Sequence, residues 1–126
     1  MYMEKKSVLI IEDSPYLAES LVDMISLRGY EAIKTSTGTE GIEFALAKKP
    51  DLILLDIRLP DIDGYDVYRR IRENEWGAKS KIMVLTASES IENISKNIDL
   101  PTELILFKPD WSVNDLLEKI ESQINS

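Results

Sequence analysis

The chain is predicted to fold as an α/β protein, a parallel sheet of five strands covered by helices on both faces. Three observations carry that expectation. Short apolar runs alternate with amphipathic segments along the whole length, and the connections between them are short. Two of the runs, Leu52-Ile53-Leu54-Leu55 and Ile82-Met83-Val84-Leu85, are apolar without interruption. Such strands suit a sheet buried on both faces, and parallel neighbours need crossover helices, which are right-handed.

The elements follow in order. Val8 to Ile11 reads as the first strand, and Ser14-Pro15 supplies an N-cap and a proline at the first helical position. Leu17, Leu21, Met24, Ile25 and Arg28 recur at helical spacing, and Gly29 ends that helix as a C′ residue. Tyr30 to Thr35 is a second strand with mixed faces. Thr39 to Lys48 forms a second helix with Ile42, Ala45 and Leu46 on one side, stopped by Pro50. Asp56 ends the third strand, and a loop through Pro60 and Gly64 leads into a helix carrying Val67, Tyr68 and Ile71. Thr86-Ala87 ends the fourth strand, and Ile91, Ile94 and Ile98 mark the fourth helix as a core stripe. Leu104 to Phe107 is the last strand, ended by Lys108-Pro109. Ser112 and Asp115 then open a terminal helix with Leu116, Leu117, Ile120 and Ile124. Trp76 and Trp111 lie in connections and are expected to pack. No linker, repeat or low-complexity stretch divides the chain, so residues 1–126 are expected to form one domain.

Composition narrows the chemistry. Fifteen basic against 23 acidic residues give a formal net charge of −8, which disfavours direct binding of nucleic acid. There is no cysteine, so disulfides and zinc-thiolate sites are excluded. There is no histidine, which removes imidazole as base, ligand or phosphoryl carrier. No apolar run approaches the roughly 20 residues of a membrane span. Met1 to Lys6 lead into a run too short for a signal peptide, so a soluble cytoplasmic protein is expected.

In open α/β sheets, ligands bind outside the carboxyl ends of the strands. Those positions here hold Glu12, Asp13, Asp56, Thr86 and Lys108. Each alone is ordinary loop polarity. Together they are not: crowded carboxylates repel unless a cation neutralises them. An oxygen-only cluster without histidine or cysteine suits Mg²⁺, or alternatively Mn²⁺. The lysine and the threonine add the donors that a phosphoryl group needs around it. Asp61-Ile62-Asp63-Gly64 is not a calcium loop, because Leu59 would occupy the first ligand position; a turn into the third helix is expected instead.

Glu12-Asp13-Ser14, the segment Leu52 to Pro60 with Asp63-Gly64, Val84-Leu85-Thr86-Ala87, and Lys108-Pro109 resemble the receiver domain of two-component response regulators. The likeness runs from about Ser7 to Ile124 with the family's order and spacing. It implies a doubly wound, flavodoxin-like (βα)5 sheet of strand order 2-1-3-4-5. It also implies a phosphoacceptor switch, with self-catalysed phosphorylation and dephosphorylation, in place of an enzyme acting on outside substrates. Asp56 would take a phosphoryl group from a phosphohistidine on a sensor histidine kinase or histidine phosphotransfer protein. Asp13, Asp56 and the backbone carbonyl of Arg58 would ligate Mg²⁺, with Glu12 acting mainly through water. Lys108 would hold one phosphoryl oxygen and Thr86 another.

The resemblance further implies a downstream protein target, and a homodimer surface on the fourth helix, fifth strand and fifth helix. Arg58 and Ser88 take positions that tune the phosphoryl lifetime. Three departures stand out: Ile105 where the family usually has an aromatic, Leu100-Pro101 for the usual Gly-Ala, and a lengthened loop at Asp110-Trp111. Phe107, on the same strand face as Ile105, is a substitute for that aromatic. The altered fifth strand motivates an alternative, a degenerate receiver that serves as a scaffold without phosphorylation. A flavin carrier is disfavoured because Glu12-Asp13 would repel a bound phosphate. A phosphatase is disfavoured because Arg58 stands where its second aspartate belongs.

Overall fold

The computed structural model describes residues 5–126. Residues 1–4, most of the stretch weighed above as a leader, lie outside the described residues. Five parallel strands, β1 (Ser7–Ile11), β2 (Glu31–Thr35), β3 (Leu52–Asp56), β4 (Ile82–Thr86) and β5 (Ile105–Phe107), form one sheet in the order β2-β1-β3-β4-β5. Between and after them run α1 (Pro15–Leu27), α2 (Gly38–Lys48), α3 (Gly64–Glu73), α4 (Ile91–Ser95) and α5 (Val113–Ile124). The predicted topology is therefore present.

Local chemistry sets most of the boundaries. Thr37, Asp63, Ser90 and Ser112 each accept a hydrogen bond from a backbone N–H in the first turn of α2, α3, α4 and α5. Such caps satisfy donors the helix itself cannot. Gly29 has φ +91°, the left-handed backbone expected of a helix-ending glycine. Lys49 closes α2 in the same region at φ 49°, directly before the buried Pro50.

Among the differences from expectation, three stand out. The Ser14 side chain makes no cap bond, and its backbone N–H instead donates to Glu12 Oε2 at 3.1 Å. The helix α4 stops at Ser95, yet Ile98 is still buried, because its N–H continues to Ile94 O at 3.0 Å in a further turn. Leu104 belongs to a 3-10 turn bonded to Pro101 O, so β5 begins one residue later.

Alternation along the strands sorts the interior into two cores. Val8, Ile10, Leu52, Leu54, Met83, Leu85 and Leu106 face α1 and α5, whose Leu21, Ile25, Leu117 and Ile120 cover them. Leu9, Ile11, Ile53, Leu55, Ile82, Val84 and Ile105 face the other side, under Ala45, Val67, Ile71 and Ile94. Every residue of β3 and β4 is buried, as an interior strand of a two-sided sheet requires. Trp111 packs against the first core and Trp76 against the second, so both tryptophans do pack.

Candidate functional site

The alternation that builds the cores also aims the site. Asp56 continues the series Leu52, Leu54, and Glu12 and Lys108 extend the same parity beyond β1 and β5. Thr86 has the opposite parity, that of Ile82 and Val84. Three charged groups therefore share the α1/α5 side at the carboxyl edge, while the hydroxyl falls on the α3/α4 side.

The structure brings the charged groups together. Glu12, Asp13 and Asp56 each offer a carboxylate oxygen, and these oxygens all lie within 4.8 Å of one another. Glu12 and Asp56 are 2% and 3% exposed, whereas Asp13 faces solvent. The Lys108 ammonium bridges the two buried acids, 2.6 Å from Glu12 Oε1 and 3.2 Å from Asp56 Oδ2. The Arg58 N–H donates to Asp56 Oδ1 at 3.2 Å, while the Arg58 side chain is exposed. Ser88 is exposed as well.

Burial drives the Glu12 carboxyl above its ordinary pKa, with the Asp56 charge adding to the rise and Lys108 only partly offsetting it. Burial also works against the Lys108 ammonium, but Glu12 and Asp56 outweigh that and raise its pKa. The ammonium is thus a fixed positive charge beside Asp56 at neutral pH.

Three carboxylate oxygens within 4.8 Å of one another, with no nitrogen or sulfur donor among them, suit a small hard dication. A cavity of about 430 Å³ opens beside Glu12 and Asp13. A larger one of about 690 Å³, lined by Leu46, Lys49 and Trp76, contains none of the strand-end acids.

Thr86 is buried, and its hydroxyl is occupied. Its Oγ1 donates to Glu89 O at 3.1 Å and accepts from Glu89 N–H at 3.0 Å. The Glu89 carboxylate in turn accepts from Tyr65 OH at 2.5 Å and from Asn93 Nδ2 at 2.8 Å. Tyr65 and Glu89 did not emerge from the sequence, where a tyrosine after Asp-Gly and a glutamate in a loop carry no signal. Asp61 was likewise missed. Its carboxylate accepts from Gly38 N–H, Thr39 N–H and the Thr39 hydroxyl at 2.8, 2.9 and 2.6 Å, tying the loop after β3 to the start of α2. Ile105 is buried at 1% exposure opposite Val84, and half-buried Phe107 sits opposite Thr86.

The chain belongs to the response regulator receiver domain family, whose model matches residues 8–121. It is 30% identical over 115 residues to the Synechocystis DNA-binding dual master transcriptional regulator RpaA, covering 91% of this chain and 47% of that protein. It is 37% identical over 82 residues to the Brucella ovis polar-differentiation response regulator DivK, covering 65% of this chain and 67% of the relative. The chain spans about half the length of RpaA and of a Bacillus subtilis regulator, at 47% and 52%. Among solved structures, the receiver domain of a Pseudomonas aeruginosa sensor histidine kinase superposes with a TM-score of 0.83 at 28% identity, covering 98% of this chain and 100% of that one. That structure holds a magnesium ion in its active-site cleft. A chemotaxis-regulator-like receiver from Methanospirillum hungatei superposes at 0.81 with 26% identity, covering 97% and 95%. This is a receiver domain of two-component signalling. Among the described residues, no helix is long and apolar enough to cross a membrane.

Proposed function

We propose that this receiver is an active phosphoacceptor. An Asp56 carboxylate oxygen attacks the phosphorus of a phosphohistidine on a partner kinase or phosphotransfer protein. The P–O bond forms as the P–N bond breaks, and the departing electron pair returns to the imidazole nitrogen, which takes up a proton. Asp13, Asp56 and the Arg58 carbonyl would hold Mg²⁺, with Glu12 acting mainly through water. The ion supplies charge neutralisation between two anionic reactants. Lys108 moves from its carboxylate bridge to a phosphoryl oxygen, and the Thr86 hydroxyl takes another. Positioning and charge are the main demands of phosphoryl transfer, and this chain's residues meet both.

One observation carries the reading: Asp56, almost fully buried, lies in a carboxylate cluster within 4.8 Å and 3.2 Å from a retained ammonium. A scaffold without phosphorylation has no need to keep that arrangement. The magnesium ion of the Pseudomonas receiver supports the choice of metal. The cytoplasm, where phosphohistidine kinases present their donor, is the compartment this role needs. The α4, β5 and α5 surface is the one we assign to a downstream protein or a second copy.

The experiment is incubation with acetyl phosphate and Mg²⁺, followed by intact mass measurement. One phosphoryl group should be added, and Asp56→Asn should add none. No adduct from acetyl phosphate or from any kinase of the source organism would sink the assignment.

A further inference from the structure

Thr86 has one hydroxyl proton, and it goes to the Glu89 carbonyl. To donate to a phosphoryl oxygen, the threonine must give up that bond and the one it accepts from Glu89 N–H. Glu89 is itself anchored. Its carboxylate is bonded at 2.5 Å to the Tyr65 hydroxyl, which stands on the first turn of α3, and at 2.8 Å to Asn93 on α4. Tyr65 is half-buried, lining a cavity of about 280 Å³ with Arg58 and Asp63. Burial and the Glu89 charge hold its phenol well above the ordinary range, so the proton it donates is present throughout neutral pH.

We propose that Tyr65 is a positioning residue for the switch: its hydroxyl, bonded to Glu89, keeps the Thr86 hydroxyl committed to the Glu89 backbone and so opposes engagement of a phosphoryl group on Asp56. The inference rests on Asp56 as phosphoacceptor and adds the element that resists and reports its modification. Phosphoryl oxygens are charged and accept more strongly than a neutral carbonyl, so the exchange at Thr86 proceeds once the group arrives. Release of Glu89 then frees Asn93, and with it the start of α4. This route runs from Thr86 to α4 through Glu89 and needs no aromatic at position 105, where Ile105 is locked in the core.

The test uses beryllofluoride, a phosphoryl mimic, titrated into the full chain at saturating Mg²⁺ in a calorimeter. Tyr65→Phe deletes the hydroxyl and keeps the ring. It should tighten beryllofluoride binding about three- to tenfold, the effect of losing one ordinary hydrogen bond, because the site is half-exposed. Mg²⁺ affinity measured without beryllofluoride should stay within about twofold, which a general loosening of the fold would not allow. Glu89→Gln, which keeps an acceptor but removes the charge, should give a smaller gain in the same direction. In a Thr86→Ala background the effect of Tyr65→Phe should vanish, because the latch acts through that hydroxyl. An unchanged or weakened affinity in Tyr65→Phe, or a gain that persists without Thr86, overturns the latch alone. A wild-type chain that takes Mg²⁺ but no beryllofluoride overturns the phosphoacceptor reading itself, and the latch with it.

Discussion

Gly64 opens α3 directly behind the end of β3, and replacing it with alanine is a steric probe of the fold beside Asp56. A Cβ there would lie 2.6 Å from Ile57 Cα, 2.7 Å from Asp56 O and 3.0 Å from Ile57 O. All three are backbone atoms, so no side chain can rotate away. To reach 3.4 Å, the lower edge of ordinary contact, the start of α3 and the Asp56-Ile57 segment must part by about 0.8 Å. That movement also stretches the 2.7 Å bond from Gly64 N–H to Ile57 O. Overpacking costs about 1–3 kcal/mol and the weakened bond about 0.5–1 kcal/mol more. For a domain of this length Gly64→Ala should lower Tm by roughly 10 °C, read from thermal unfolding by circular dichroism. Gly29→Ala is the control: Gly29 has φ +91° but nothing within 4 Å of an added Cβ, so only left-handed strain of about 1 kcal/mol applies. A Gly64→Ala melt within about 2 °C of wild type, or one no worse than Gly29→Ala, would refute the close-approach argument.

Other outcomes follow from the charges. Asp61→Ala should cost about 0.5–1 kcal/mol in urea unfolding, a modest figure because the carboxylate is exposed to solvent. The Thr39 hydroxyl, followed by the Thr39 and Gly38 N–H groups, holds the Asp61 carboxyl well below the usual value of 3.8. A depressed folded pKa adds stability that is full above the unfolded value and is lost as pH falls through the folded one. The wild type and Asp61→Ala should therefore differ at pH 6 and converge as pH drops below 3.8; a gap that widens in acid would contradict this. Lys108→Ala removes a cation that now competes for the same carboxylates. It should tighten Mg²⁺ about three- to tenfold in calorimetry while abolishing fast phosphorylation by acetyl phosphate; weaker Mg²⁺ binding would argue against a shared site.

The sheet was legible because its signals are local. Leu52 to Leu55 and Ile82 to Leu85 are apolar whichever way they face, and both strands are buried throughout. Glu12, Asp13, Asp56 and Lys108 were legible because a parallel sheet sends its strand ends to one rim. The helix periodicity misled at Ile98, which keeps the spacing of Ile91 and Ile94 although α4 has already ended; a hydrophobic stripe records which side is buried, not which hydrogen bonds are made. Ser14 holds the N-cap position without a side-chain cap bond, and its backbone N–H donates to Glu12, a link that no capping pattern announces. Tyr65 with Glu89, and Asp61 with Thr39, stayed hidden for a different reason. Each pair joins a loop to the first turn of a helix, 24 and 22 residues apart, and nothing periodic marks such a meeting.

The opposite parity of Thr86 and Asp56 has a consequence for how such domains diversify. Glu12, Asp56 and Lys108 share the strand parity of one core and Thr86 that of the other, with the sheet as a partition between the two cores. The Tyr65, Glu89 and Asn93 network can therefore vary on its own side of the sheet while the packing behind Glu12, Asp56 and Lys108 stays as it is. The same partition gives an engineer a rule: alter the Tyr65, Glu89 and Asn93 network to retune the switch, and leave the core beneath α1 and α5 unchanged.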